Sequence, residues 1–388
     1  MRVLTLSTLF PDETRPNFGV FVERQTRGLA ARPGVDLTVI APVGLPPFPL
    51  WLNGRHRPLA RLPASETWAG LPVHRPRFTS VPRLPQLSPA RLARAVLPLA
   101  RRLRPDVIDA EFFWPDGPAA ALLSRRLGLP FSVKARGADI QHWGVSGRTA
   151  AQVRAAGQAA GGLLAVSGAL REVMIGLGLP ADRIAVHRTG IDRDRFHAHA
   201  GAKSDLGVTG PLLLSVGALI PRKRHHLAIA AMAHLPGATL LIAGEGPERA
   251  RLQRDIARLG LHERVRLLGA RPHAELPALF AAADATVLMS ESEGLANVWV
   301  EALACGTPLV LPPIGGADEV LTTPDAGLTC PPEPQAIAAA IRQLLANPQP
   351  RDLVARAVDA FSWERNAAEL EAHLRHVAAQ RAPADAGA

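Results

Sequence analysis

The feature that most constrains this chain is a recurring unit: a short, almost wholly apolar run followed by an Ala/Leu/Arg-rich stretch with helical periodicity. In the first half the runs are Arg2–Ser7, Asp36–Ala41, Val107–Ala110, Phe131–Lys134, Leu163–Val166 and Ile184–His187. In the second half they are Leu212–Val216, Thr239–Ala243, Val265–Leu268, Thr286–Met289, Pro308–Leu311 and Gly327–Thr329. Runs this short and apolar are strands buried on both faces, and alternation with amphipathic helices makes them parallel. Two sets of such units, in 388 residues, predict an α/β protein of two doubly wound domains. The polar, Gly-containing stretch Arg188–Val208 reads as the boundary. Pro42–Pro89 is Pro-rich and reads as a surface excursion, mobile in part. The tail after Arg381 is Ala/Pro/Asp-rich and expected to fray.

Composition excludes several classes. Two cysteines, Cys305 and Cys330, rule out a disulfide scaffold or a Cys-rich zinc module and read as small buried residues of a reducing compartment. No run of 18 apolar residues occurs, so no membrane span is predicted. Val3–Leu9 is too short for a signal peptide. The expected location is cytoplasmic. The charge is uneven: residues 1–190 hold 25 basic and 12 acidic side chains, and residues 191–388 hold 19 and 22. Residues 55–104 contain eleven Arg and one acid, Glu66. Because 41 of the 44 basic residues are Arg, codon bias explains part of this, but not its one-sidedness. A basic half implies a polyanionic neighbour, nucleic acid or an anionic membrane face. No nucleic-acid motif with interleaved aromatics is present, so nucleic acid is not expected. The inner membrane surface fits better, with part of Leu84–Leu103 in the interface.

Ligands of doubly wound sheets bind beyond the carboxyl ends of the strands, so the chemistry is sought in those loops and in the cleft between two such domains. The densest loop chemistry runs from Ser290 to Pro308, with a strand before it and a helix within it. Asn297 reads as the N-cap. Glu293 lies in the loop and Glu301 about one turn inside the helix. Backbone N–H groups of Gly294, Leu295, Ala296, Asn297 and Val298 suit phosphate or sugar oxygens, aided by the helix dipole, and carboxylates accept hydrogen bonds from vicinal hydroxyls. The arrangement suits a phosphorylated sugar.

The stretch E-G-L-A-N-V-W-V-E-A-L-A-C-G-T-P from Glu293 resembles the E-x7-E signature of retaining family 4 glycosyltransferases. Other elements follow in the family's order: Gly217 to Lys223, Gly244-Glu245-Gly246-Pro247, Val265–Gly269, Gly315-Gly316 with Glu319, and Phe361-Ser362-Trp363-Glu364. The resemblance covers most of the chain. It implies the GT-B fold, two Rossmann-like domains facing a central cleft: an acceptor domain over 1–190, a nucleotide-sugar domain over 205–358, and a C-terminal helix over 359–381 crossing back. By resemblance Glu293 holds donor-sugar hydroxyls and Glu301 the ribose hydroxyls. Lys223, with Arg222, pairs with the diphosphate, where fixed cations stabilise the leaving group. Gly246, with Arg249, lies near the nucleotide, and Arg271 follows a strand where the base lies. Gly217 and Gly19 take places beside the donor.

Two positions depart from the family. Ala218 stands where an Arg often follows the glycine. Arg136-Gly137-Ala138-Asp139 stands where many members carry H-G-x-D. Arg136 does not deprotonate and is no general base, though it can orient an acceptor or hold a donor phosphate. Asp139 and Glu111 are the nearest acids for the acceptor proton. Phe112-Phe113-Trp114 reads equally as a stacking wall for an acceptor sugar or as core. Asp192-Arg193-Asp194 imitates a metal-binding D-x-D but lies at the boundary; no metal site is expected, and His56, His225 and His226 read as surface.

The expected activity is metal-independent, retaining transfer of a sugar from a UDP- or GDP-hexose, with no cofactor, to a glycan or lipid-linked acceptor of envelope or exopolysaccharide synthesis. The alternatives are a catalytically impaired binding subunit of the same fold, and a nucleotide-sugar epimerase.

Overall fold

The computed structural model describes residues 1–380 except Asn53 and Arg55; the tail expected to fray lies outside them. The chain forms two compact units, Met1–Gly190 with the segment from Trp363 onward, and Ile191–Ser362. Residues 191–204 belong with the second unit, because Gly201 N–H donates to Ala281 O and Lys203 pairs with Asp284 at 2.6 Å.

The strands of the first unit are β1 (Arg2–Leu6), β2 (Asp36–Ile40), β3 (Val43–Leu45), β4 (Ser65–Trp68), β5 (Leu71–His74), β6 (Arg77–Thr79), β7 (Val107–Ala110), β8 (Phe131–Ala135), β9 (Gly162–Ala165) and β10 (Ile184–Val186). Eight of them form one sheet in the order β10-β9-β8-β7-β1-β2-β5-β4. All neighbours are parallel except β4 on β5. A second, two-stranded parallel sheet pairs β3 with β6. The Pro-rich excursion is therefore corrected: β3 to β6 all arise within it, and two of them extend the main sheet. The sequence hid them because each run is short and Pro72 interrupts β5, which lies next to the edge strand. Arg75, just after β5, is 2% exposed and bonds to Glu66 and to Pro11 O.

The helix Trp363–Ala379 packs in this first unit against the helix Val20–Ala30. Leu370, Leu374 and Val377 enter the core with Val3, Val39 and Val107. Arg32 pairs with Glu371 at 2.6 Å, and Ser132 Oγ meets His373 Nε2 at 2.7 Å. A side chain at Gly190 would stand 2.6 Å from the Trp363 backbone, so only glycine allows the outgoing and returning segments to pass so closely.

The second unit contains β11 (Leu212–Val216), β12 (Thr239–Ala243), β13 (Val265–Gly269), β14 (Ala285–Val287), β15 (Leu309–Leu311) and β16 (Gly327–Thr329). They form a six-stranded parallel sheet in the order β13-β12-β11-β14-β15-β16. Leu213, Leu240, Ile242, Val287 and Val310 form its core with helix residues Ile229, Met232, Ile337 and Ile341. Strand order reverses on either side of β11, which has β12 on one edge and β14 on the other. The loops after β11 and β14 leave the sheet there, at the kind of position where such sheets take ligands. In the first unit the equivalent point lies between β1 and β7.

Candidate functional site

The switch point of the second unit brings together side chains seventy residues apart. Lys223 ends a short 3-10 turn, Pro221–Lys223, in the loop after β11; Glu293 lies in the loop after β14. Lys223 Nζ donates to Glu293 Oε1 at 2.5 Å, and Arg222 Nη1 stands 3.2 Å from the same oxygen. Arg222 also donates to Ser292 O at 2.5 Å and accepts at its own carbonyl from Glu291 N–H at 2.8 Å. Both loops are thereby tied into one surface. The side chains of Lys223 and Glu293 are 11% and 10% exposed, so the pair is only partly screened by water. Burial alone would raise the Glu293 carboxyl; Lys223 and then Arg222 outweigh it and hold the group below the usual carboxylate range.

Glycines shape the backbone beside this pair. A Cβ at Gly217 would stand 3.6 Å from Lys223 Cδ and Cε, so the glycine borders the lysine stem. Gly246 has a packing role: a Cβ there would meet Leu219 O at 2.4 Å, and Leu219 N–H donates to Glu245 O at 2.9 Å.

The helix after Glu293 spans Asn297–Ala304. Asn297 is its first helical residue rather than its N-cap; Ala296 takes that place with extended backbone and no side-chain cap. The helix N-terminus therefore relies on groups outside the capping residue's side chain. Gly294, Leu295 and Ala296 are buried, and Asn297 and Val298 are half-buried. Glu301, one turn inside, is 8% exposed. Its Oε1 lies 2.7 Å from His273 Nε2, and the His273 ring meets the Phe196 ring edge-on at 5.1 Å. His273 is a site residue that sequence reasoning missed. It follows β13 at the ligand-bearing end of the sheet, which was the available signal. Arg271, nearby, is exposed and 3.5 Å from Glu275. His225 corrects an expectation: it is 3% exposed, hydrogen-bonds Ser215 Oγ at 3.0 Å, and burial pushes its pKa down to about 4. His56 and His226 are half-buried.

In the first unit, Gly19 precedes the helix Val20–Ala30 with φ +72°, and a Cβ there would strike Leu9 O at 2.4 Å. No other residue fits that turn without strain. Arg136 and Asp139 are committed to buried partners. The Arg136 guanidinium forms an ion pair with the fully buried Glu111 and stacks over Phe21 at 4.8 Å. Asp139 accepts from the N–H groups of Phe113, Arg136 and Gly137 at 2.8 to 3.2 Å. Burial raises its pKa above the usual carboxylate value despite these bonds. Asp139 thus fixes the loops after β7 and β8. Lys134, fully buried, donates to Gln25 Oε1 at 2.5 Å and lies 2.7 Å from His187 Nδ1. Its pKa falls to about 7, by burial first and the charge of Arg136 second.

A cavity of about 590 Å³ opens beside the same loops, lined among others by Thr8, Phe78, Phe112, Trp114 and Trp143. Trp114 and Trp143 stack at 5.8 Å. Phe113 and Trp114 are both buried, at 0% and 3% exposure, and Phe112 is half-buried at the cavity wall. Among the described residues no group of three or more His, Cys, Asp or Glu side chains could hold a metal ion, and no helix is long and apolar enough to cross a membrane.

Residues 200–359 match the family described as Glycosyl transferases group 1, and residues 18–190 match the Glycosyl transferase 4-like domain. Together they span both units. The chain belongs to the group 1 glycosyltransferases. A putative teichuronic acid biosynthesis glycosyltransferase, TuaC of Bacillus subtilis, is 31% identical over 359 residues, covering 88% of each chain. A glycogen synthase of Mycobacterium tuberculosis is 34% identical over 302 residues, covering 73% of this chain and 72% of the relative. Sucrose-phosphate synthase from Thermosynechococcus elongatus superimposes with TM-score 0.82 at 22% identity, covering 97% and 98% of the two chains. HepE of Anabaena, in complex with UDP and glucose, gives 0.75 at 24% identity, covering 97% and 99%. The glycosyltransferase has the GT-B fold.

Proposed function

We propose that this glycosyltransferase moves a hexosyl group, with retention and without a metal or other cofactor, from a UDP- or GDP-sugar to a glycan or lipid-linked acceptor. The role proposed is envelope or exopolysaccharide synthesis on the cytoplasmic side of the membrane. The observation that carries the reading is the Lys223–Glu293 contact at 2.5 Å with Arg222 on the same oxygen. Two cations and a carboxylate converge at one switch point, which suits a substrate with a diphosphate next to a sugar. A departing nucleoside diphosphate gains negative charge, and Lys223 and Arg222 are preplaced to stabilise it. Glu293 accepts hydrogen bonds from sugar hydroxyls, and Glu301 from the ribose. In this reading the anomeric carbon–phosphate oxygen bond breaks as the acceptor oxygen bonds to that carbon on the same face. The acceptor proton passes to the departing phosphate oxygen. The teichuronic acid biosynthesis for which TuaC is named and the UDP and glucose bound to HepE support the substrate class.

A panel of nucleotide sugars tests the reading through slow hydrolysis to free nucleotide and sugar, with NMR of the released anomer. Release of the α-anomer from an α-linked donor is expected. Absence of turnover with every donor would favour a binding subunit, and an altered sugar configuration an epimerase.

A further inference from the structure

The Pro-rich insertion and the helix after it carry chemistry that the donor site does not use. Five of the large apolar side chains exposed in the first unit belong to this stretch: Phe48 at 73%, Leu50 at 62%, and Leu52, Leu84 and Leu87 at about 40%. Phe48 meets Trp51 edge-to-face at 6.2 Å. Singly exposed apolar residues need no explanation; a group this size marks an interaction surface.

Leu84 and Leu87 lead directly into a helix with a cationic face. The helix Ser88–Leu103 buries Leu92, Ala93, Val96 and Ala100. With 100° between successive residues, Arg91, Arg94, Arg101 and Arg102 share the opposite face with Leu87. Arg91 and Arg94 line a shallow groove beside Phe78. From Thr67 to Pro105 the sequence contains no acid. The two acids that bracket this stretch are already paired, Glu66 with Arg75 and Asp106 with Arg2.

The two parts are joined through β3 and β6. Leu45 pairs with Thr79, Leu45 O accepts from Ser80 N–H at 2.7 Å, and Arg91 Nη1 donates to Thr79 O at 3.3 Å. The Phe48–Leu52 turn leaves β3 beside that junction. Val81, Pro82, Arg83 and Pro85, next to Leu84 and Leu87, line the cavity that holds Trp114 and Trp143.

We propose that Phe48, Leu50, Leu84 and Leu87, with the arginine face of the helix Ser88–Leu103, form a docking surface for an anionic lipid membrane, with the aromatic cavity opening beside it. Apolar tips insert at the headgroup boundary while arginines meet anionic headgroups. The proposal rests on the reading of a lipid-linked acceptor and names the surface that would bring the cavity to it. The arginine stripe argues for lipid over a second copy of the chain, because two such faces would repel.

Flotation of the full chain with vesicles tests this. Phosphatidylcholine vesicles containing phosphatidylglycerol should retain the protein; pure phosphatidylcholine should not, and added salt should weaken retention. Each basic residue near such a surface is worth about fivefold in partitioning, so Arg94→Glu with Arg101→Glu should lower retention at least about tenfold. Phe48→Ser with Leu50→Ser should lower it several-fold. Thermal melting and donor hydrolysis should stay as in the parent protein. Equal retention on both vesicle types, or unchanged retention of both variants, would overturn the proposal. So would self-association without lipid that the same variants abolish, which would make the face a dimer contact. Hydrolysis without vesicle binding leaves the transferase reading standing and removes the surface; binding without hydrolysis does the reverse.

Discussion

Lys223 Nζ and Glu293 Oε1 stand 2.5 Å apart, joining the loop after β11 to the loop after β14. Glu293 also neutralises Arg222 at 3.2 Å. The carboxylate therefore competes with any diphosphate for the same cations. Glu293→Gln should tighten binding of free UDP or GDP, measured by calorimetry, while donor hydrolysis falls by about 10²–10³, the scale of losing one fixed polar contact to a transition state. Weaker nucleotide binding by the variant would count against this competition.

Lys223→Ala removes one cation and leaves Glu293 with Arg222. A charge-assisted bond is worth about 1.5–3 kcal/mol, so nucleotide affinity should fall by roughly ten- to a hundred-fold. Calorimetry against UDP and GDP checks this. An unchanged affinity would move the diphosphate elsewhere.

His273 holds Glu301 at 2.7 Å and is itself braced by Phe196. It acts through Glu301 and is a positioning residue. His273→Ala should raise the donor KM several-fold with kcat nearly unchanged, and His273→Gln should recover part of the loss. An equal fall in kcat would instead mean damage to the whole loop.

The strand pattern and the acidic pair were legible because apolar runs and the spacing of Glu293 and Glu301 are local properties. What stayed hidden depends on distant partners. His273 meets Glu301 only because β13 and β14 belong to one sheet, on opposite sides of β11 and β12. Asp139 reads from sequence as one of the nearest acids for the acceptor proton, yet three backbone N–H groups use it. Lys134 and Asp109 offered a warning: each is a charged residue inside an apolar run, and such residues are seldom buried without a partner. The strands β3 to β6 were masked by the prolines that surround them.

Arg136 and Glu111 form a buried pair in the first unit. Removing Arg136 takes away the larger of the two positive charges that hold the fully buried Glu111 ionised and leaves only Lys134, at a cost of about 3 kcal/mol. Arg136→Met should therefore lower the melting temperature by many degrees. Adding Glu111→Gln to it should recover most of the loss, because the stranded charge is gone. A double variant no more stable than Arg136→Met would show that the pair itself, rather than the stranded carboxylate, sets the cost.

Asp116 supplies a pH test with a definite sign. Its Oδ2 accepts from Thr8 N–H at 2.9 Å, and burial raises its pKa from 3.8 to about 8. Between those values the folded chain holds a proton that the unfolded chain has lost. The stabilisation is thus fully present below the unfolded value and is lost as pH rises through the folded one. Stability from this group should fall between about pH 4 and pH 8, by on the order of 2 kcal/mol or more. Lys134, pushed down to about 7, acts in a higher window: there the unfolded chain binds the extra proton, so its contribution rises from about pH 7 upward. Asp116→Asn should flatten the lower window alone, read as melting temperature against pH. A slope below pH 7 that persists in the variant would assign it to another buried group, Asp139 or Asp109.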